Sequence, residues 1–212
     1  MSWSRVHRYL ALVLVVPLIV WSVTGLLFHL KPGWSRAYDM LDAERPLKSS
    51  QVVPLSAFAA MFPEGVQRLE LFGTALGPLY RVTTEKGTAL IDAATGERRS
   101  PLSEADARTL ATDAVSQSRE RAGYGSIASA EVKDDVVRLH FSQGPVVEVG
   151  RDDARISQHG ADTSRIDWLY RIHYLQWTGK KTLDRALAVF ALALIWLVMI
   201  PGLVLAWRRA RA

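Results

Sequence analysis

The chain has 212 residues, a formal net charge of +5 and a sequence pI near 9.7, and it contains no cysteine. The missing thiols exclude disulfides, thiolate metal sites, iron–sulfur clusters and cysteine nucleophiles. Hydrophobic residues make up 49% of the chain, but they gather in two nearly charge-free runs near the ends, each as long as a bilayer span, which excludes a simple soluble domain.

In chain order, residues 1–8 form a short basic tail with Arg5 and Arg8, and residues 9–30 form a first transmembrane helix. Residues 31–166 form an outer α+β domain, 167–185 an interfacial amphipathic segment, 186–207 a second transmembrane helix and 208–212 a second basic tail. Arg5, Arg8, Arg208, Arg209 and Arg211 flank the spans, and the other 21 basic residues balance the 21 acidic ones between them. A neutral middle with basic tails signals topology rather than nucleic-acid binding. Both termini are expected in the cytoplasm and the middle is expected to be translocated. Trp3 and Trp207 mark the inner membrane–lipid interface, and Trp34, Trp168 and Trp177 the outer one. The first span has no small-x-small cleavage site after it, so it reads as a retained helix rather than a signal peptide.

Within the outer domain, 54–62 predicts a short helix stopped by Pro63. Residues 66–72 and 79–84 predict strands, and 77–97 (GPLYRVTTEKGTALIDAATGE) a hairpin turning at Lys86-Gly87. Ser103, with Asp106 three residues on, caps a helix running to about Arg121. Residues 130–133, 136–142 and 145–149 predict further strands around a Gln143-Gly144 turn. This order suggests a weak internal repeat of one small α+β unit. Residues 167–178 (DWLYRIHYLQWT) predict an amphipathic helix at the outer surface. Asp134-Asp135 and Asp152-Asp153 read as turn residues.

No GxSxG, HExxH, P-loop or GxGxxG is present, which leaves the five histidines as the versatile groups. His7 opens the first span, His29 closes it and His173 precedes the second, whereas His140 falls in a strand and His159 in a polar loop. His7 and His29 differ by only about 40° around a helix and lie about 33 Å apart along it. Gly25, five turns from His7, shares that face and leaves room for a flat, bulky group, and Leu14 and Trp21 continue the stripe. Imidazole is costly at membrane depth and a good axial ligand for haem iron. His7, His29 and His173 are therefore candidate ligands of haem b. For His7, a headgroup-facing role beside Arg5 and Arg8 stands equally open. Two helices cannot enclose a porphyrin, so haem implies a homodimer with a four-helix bundle. His29 and His173 could then pair within one chain or across two.

Residues 77–97 resemble the signature of PepSY domains, and the opening SRVHRYLALVLVVPLIVWSVTGLLFH and closing RIHYLQWTGKKTLDRALAVFALALIWLVMIPGLVLAWRR resemble spans of PepSY-associated transmembrane proteins. The resemblance implies a protein of the bacterial cytoplasmic membrane with a periplasmic PepSY-like α+β domain. It implies haem b held by histidines matching His7, His29 and His173. In its two-span size the chain is similar to VciB-type ferric reductases, which implies electron delivery to Fe(III), free or chelated, for iron uptake. No flavin or nicotinamide domain is evident, so the donor would be a quinol or a reduced flavin. Two rivals are a PepSY binding or regulatory module on inert anchors, and a subunit relaying electrons to a partner enzyme.

Overall fold

The structure is a computed structural model that describes residues 3–47 and 52–211, save the side chains of Trp3, Ser4, Val6, Leu205 and Arg209. The expected interfacial role of Trp3 and the tail charge of Arg209 thus lie outside the described side chains. The chain falls into two compact units, Met1–Gly33 with Ser164–Ala212, and Trp34–Thr163.

The first unit is built on two long helices, α1 (Trp3–Leu30) and α5 (Lys181–Ala210). Both are apolar on every face, and segments His7–Leu30 and Lys181–Arg208 are long and apolar enough to cross a membrane. Their burial is nonetheless periodic. Among the described side chains the shielded positions on α1 are His7, Leu10, Ala11, Leu14, Thr24, Gly25, Leu27 and Phe28; on α5 they are Asp184, Ala188, Ala191, Leu194, Ile195, Val198, Pro201 and Gly202. That spacing of three and four is the seam of two packed helices. The pair runs antiparallel: Gly202 lies beside His7, and residues 14–21 line one cavity with residues 188–195. Leu12, Val16, Ile19, Phe190, Leu197 and Leu203 point outward and are exposed, as lipid-facing residues are. Pro17 sits inside α1 and Pro201 inside α5, positions that apolar spans tolerate.

Between the spans runs α4 (Ala161–His173). The predicted helix over 167–178 therefore ends earlier and begins earlier. The cause is a Schellman turn: the Gln176 N–H donates to the Arg171 carbonyl at 2.8 Å and Leu175 adopts a left-handed φ of 53°. Residues 181–185, expected in the interfacial segment, form the first turns of α5.

The second unit carries a four-residue helix, α2 (Trp34–Ala37), and two antiparallel meanders. The first is β1 (Arg68–Thr74), β2 (Gly77–Thr84) and β3 (Gly87–Asp92); the second is β4 (Ile127–Lys133), β5 (Val136–Phe141), β6 (Val146–Gly150) and β7 (Ile156–His159). The alternation of side chains between the two faces of a strand explains the layers. In β2, Leu79 joins a large core with Phe72, Leu90 and the helix α3 (Glu104–Gln117), while Tyr80 and Val82 join a second core with Phe58, Phe62 and Ile91. The first sheet is thus covered on both faces. The second sheet turns Val137, Leu139, Val147 and Val149 into the large core, each worth about 1.5–3 kcal/mol on burial. Its other face, with Ser129, His140 and His159, is exposed.

Local chemistry fixes the turns. Both hairpins of the first sheet close with Thr-x-x-Gly: the Thr74 hydroxyl donates to the Gly77 carbonyl and accepts from the Leu76 N–H, and Thr84 repeats this with Gly87 and Lys86. Gly77 and Gly87 hold φ of 108° and 136°, open to glycine alone without strain. In IDAATGE the Asp92 carboxylate accepts from the Ala94 and Thr95 N–H groups, so the PepSY-like signature is a turn-forming device. Ser103 and Asp106 form the predicted capping box on α3.

Four expectations need correction. The helix over 54–62 is two separate 3-10 turns, Leu55–Ala57 and Ala59–Met61, because a run this short between Pro54 and Pro63 cannot recover the cost of an α-helical nucleus. The capped helix stops at Gln117, and Arg121–Gly123 form a 3-10 turn. Strand β7 was not foreseen; the chain folds back where the Asp153 carboxylate accepts from the Arg155 N–H, which puts His159 in a strand. The repeat is one of strand meanders, since within this unit the segment before the second holds the 14-residue α3 and that before the first only the four-residue α2 and the two 3-10 turns.

Candidate functional site

The groups with unassigned chemistry gather on the seam of the span unit. Thr24 is buried on α1, and its hydroxyl lies 2.9 Å from the carbonyls of Val20 and Trp21 and 2.9 Å from the His173 Nδ1. A hydroxyl has one proton. Given to a backbone carbonyl, as is usual for threonine inside a helix, it leaves the oxygen to accept from His173. Nδ1 then carries the ring proton, and Nε2 is the unprotonated nitrogen available to a metal. The ring is clamped as well. It stacks on Trp21 at 5.3 Å and 6°, and meets Phe28 edge-on at 5.0 Å. Gly25 passes beside it: a Cβ there would lie 3.5 Å from the His173 Cε1.

His173 lines a half-open cavity of about 370 Å³. Leu14, Pro17, Leu18 and Trp21 of α1 form one wall, and Ala188, Ala191, Leu192 and Ile195 of α5 the other. Leu175 closes it from the turn after α4, adopting left-handed backbone that costs a β-carbon residue about 1 kcal/mol. An apolar cleft with one oriented imidazole is the usual form of a cofactor site.

His7 sits at the far end of the seam, about 25 Å along α1 from Thr24. Its half-buried ring packs on Gly202, where a Cβ would come within 3.0 Å of Cε1. Among the described residues its buried Nδ1 has no hydrogen-bond partner. His29 is exposed and in none of the contacts around His173; it follows Phe28 by one residue, about 100° round the helix. The structure thus brings Gly25 and His173 together, places His7 at a separate glycine-backed position, and leaves His29 outward. His140 and His159 are exposed on the second sheet. Among the described residues no three His, Asp or Glu side chains cluster to hold a metal ion.

The residues present fit a haem: an unprotonated imidazole nitrogen, an apolar cleft to seat a porphyrin, and a glycine facing each of two seam histidines. Sequence reasoning missed Thr24 as the orienting group. The signal was there, since Thr24 and Ser22 are the two hydroxyls inside an otherwise apolar run. It also missed the cationic residues after His173.

A family model described as the PepSY-associated TM region matches residues 4–212. The chain belongs to this family. Membership together with the two apolar helices makes it a transmembrane protein with an α+β region of antiparallel sheets between its spans. No curated protein and no solved structure matches the chain.

Proposed function

We propose that this PepSY-associated transmembrane protein is a b-type haem protein of the bacterial inner membrane that passes electrons outward and reduces ferric iron to ferrous iron. The observation that carries this reading is His173, whose Nδ1 lies 2.9 Å from the Thr24 hydroxyl, whose ring packs beside Gly25 and which lines an apolar cavity. Haem b, when bound, supplies a one-electron couple suited to Fe(III) as substrate. His173 would hold the haem iron, and Trp21 and Phe28 keep its ring in place. Leu14, Leu18, Leu192 and Ile195 exclude water from the cleft. His7, with an unsatisfied Nδ1 beside Gly202, would hold iron at the other leaflet. His29 is exposed and makes no contact with its own chain's His173, so a second imidazole for the outer position would come from a second copy in a homodimer. The basic tails keep both termini in the cytoplasm and the α+β domain in the periplasm. A quinol or reduced flavin would give up two electrons in turn, and each electron would reduce one Fe(III) to Fe(II), free or chelated, for uptake.

The test is the absorption spectrum of detergent-purified protein, oxidised and dithionite-reduced, for wild type and His173→Ala. The reading expects a sharp reduced α-band in the wild type that is lost or shifted in the variant. Mixing the pre-reduced protein with ferric citrate and trapping Fe(II) with a colorimetric chelator then tests the reaction. A colourless wild type from cells supplied with haem precursor would leave a PepSY binding module on a membrane anchor. A reduced protein that ferric citrate cannot oxidise would instead point to a relay subunit.

A further inference from the structure

Beside the His173 cavity lies a second, polar cleft of about 620 Å³, at the turn between α4 and α5. The two share Tyr174 and Ala188 in their walls, so they adjoin. Their linings differ in kind. The first is hydrocarbon apart from Trp21, His173 and Tyr174, whereas Arg171, Lys181 and Arg185 converge on the second. Among the described residues none of these three cations forms an ion pair or a side-chain hydrogen bond. The carboxylate in the wall, Asp184, is occupied: it is buried, and its Oδ1 accepts from the Thr178 N–H at 3.0 Å and the Thr178 hydroxyl at 2.8 Å. Three positive charges thus face one negative charge that is already engaged. Cations just outside a span on the translocated side also run against the usual charge bias of membrane loops, so their presence there calls for a counter-charge.

An apolar cleft that adjoins a cationic one matches a ligand that is flat and apolar over most of its area and carries carboxylates along one edge. Haem b is such a molecule, with two propionates on one side of the ring. We propose that Arg171, Lys181 and Arg185 bind the haem propionates while the porphyrin lies in the cleft lined by His173. The assignment rests on the haem reading above and adds to it the residues that orient the ring. Guanidinium forks suit carboxylates in paired hydrogen bonds, and Lys181 adds a point charge. Unpaired, a carboxylate at this depth would be strongly disfavoured. The cations therefore select the propionate-bearing ring and set which edge faces the outer surface.

The test titrates haem-free protein in detergent with haemin and with haemin dimethyl ester, which has the same iron and ring but no carboxylates, and follows the Soret band. Wild type should prefer haemin by 10-fold or more. The triple variant R171Q/K181Q/R185Q should lose that preference and still bind the ester as wild type does. Each single variant should weaken haemin binding about tenfold, the loss of one charge-assisted contact, and R185K should retain most of the preference. The midpoint potential should fall in the triple variant, because nearby cations disfavour the more positive oxidised state. Far-UV circular dichroism checks its fold, and the single variants stand in if it fails. Equal affinity of wild type for both ligands, or an unchanged preference in folded charge variants, would overturn the assignment and leave the haem reading intact. A wild type that binds neither ligand would overturn both.

Discussion

At the scale of single residues, small groups here decide the chemistry of larger ones. The Thr24 hydroxyl lies 2.9 Å from the His173 Nδ1, where it favours the tautomer that leaves Nε2 unprotonated. Replacing Thr24 with Val keeps the shape and removes the acceptor; second-sphere losses of this kind cost about 10- to 100-fold in metal affinity. Haem retention during purification should fall accordingly in T24V and return in T24S. Arg81 plays a comparable part in the α+β region. It is 6% exposed, donates to the Glu70 carboxylate at 3.0 Å and the Asp153 carbonyl at 2.6 Å, and lies over the Phe72 ring. Removing one member of a buried pair costs about 3–5 kcal/mol. Because Glu70 keeps partial contact with water, R81M should cost about 2–3 kcal/mol, read as a lower urea midpoint. The hydrogen bond from Arg81 holds the Glu70 carboxyl below its ordinary value of 4.5. The folded state therefore favours the ionised form, and this stability is fully present above that value. It is lost as pH falls below 4.5 and through the folded-state pKa. The stability gap between wild type and E70Q should be widest near neutrality and close in that acidic window.

At the scale of elements, ends matter more than middles. The α3 helix begins in a complete capping box, with the Asp106 N–H donating to the Ser103 hydroxyl and the Ser103 N–H to the Asp106 carboxylate. S103A should lower stability by about 1 kcal/mol, and S103D should restore most of it, both measured by thermal unfolding of the full chain. Helix α3 also anchors the strand-free segment ahead of β1. Asp39 accepts from Tyr124 at 2.8 Å and from Ser118, Arg45 pairs with Asp113, and the Arg45 N–H donates to the Gly73 carbonyl. Gly73 is required there, because a Cβ would meet the Arg45 carbonyl oxygen at 2.8 Å. Burial and Asp39 both push the Tyr124 phenol upward, so it stays a donor across the physiological range. The span helices follow another rule: with no apolar difference between their faces, small residues such as Ala188, Ala191 and Gly202 mark the face where they meet.

At the scale of the whole molecule, the proposed reaction depends on a second copy. His29 and His173 of one chain face different ways, so the outer ligand pair would be completed across a dimer. Co-expressing differently tagged H29A and H173A chains tests this. Each single variant has only incomplete outer sites, whereas a mixed dimer holds one complete site and one lacking both imidazoles. Tandem-purified mixed dimers should regain about half the wild-type six-coordinate signal. Recovery no greater than in the separate variants would rule out the cross-chain pair.

Much of this protein is written along the chain. The two spans, the basic tails, the Ser103–Asp106 cap and the hairpin turns are read from runs, pairs and spacings within a few residues, because hydrophobic length, capping and turn chemistry are local. The stripe of His7, Leu14, Trp21 and Gly25 was legible for the same reason: the period of one helix suffices. Which partners meet that stripe was not legible. The contact of Thr24 with His173 joins positions 149 apart, and the packing of His7 on Gly202 joins the two ends of the chain. The left-handed turn at Leu175 lacks the glycine that would have announced it. Strand β7 hid in polar residues because only its pairing with β6 makes it a strand. Only tertiary structure decided that one imidazole faces an apolar cleft, one a glycine and one the outside. Side-chain direction across a seam depends on the rotation of both helices, and one chain segment carries no information about its partner's rotation.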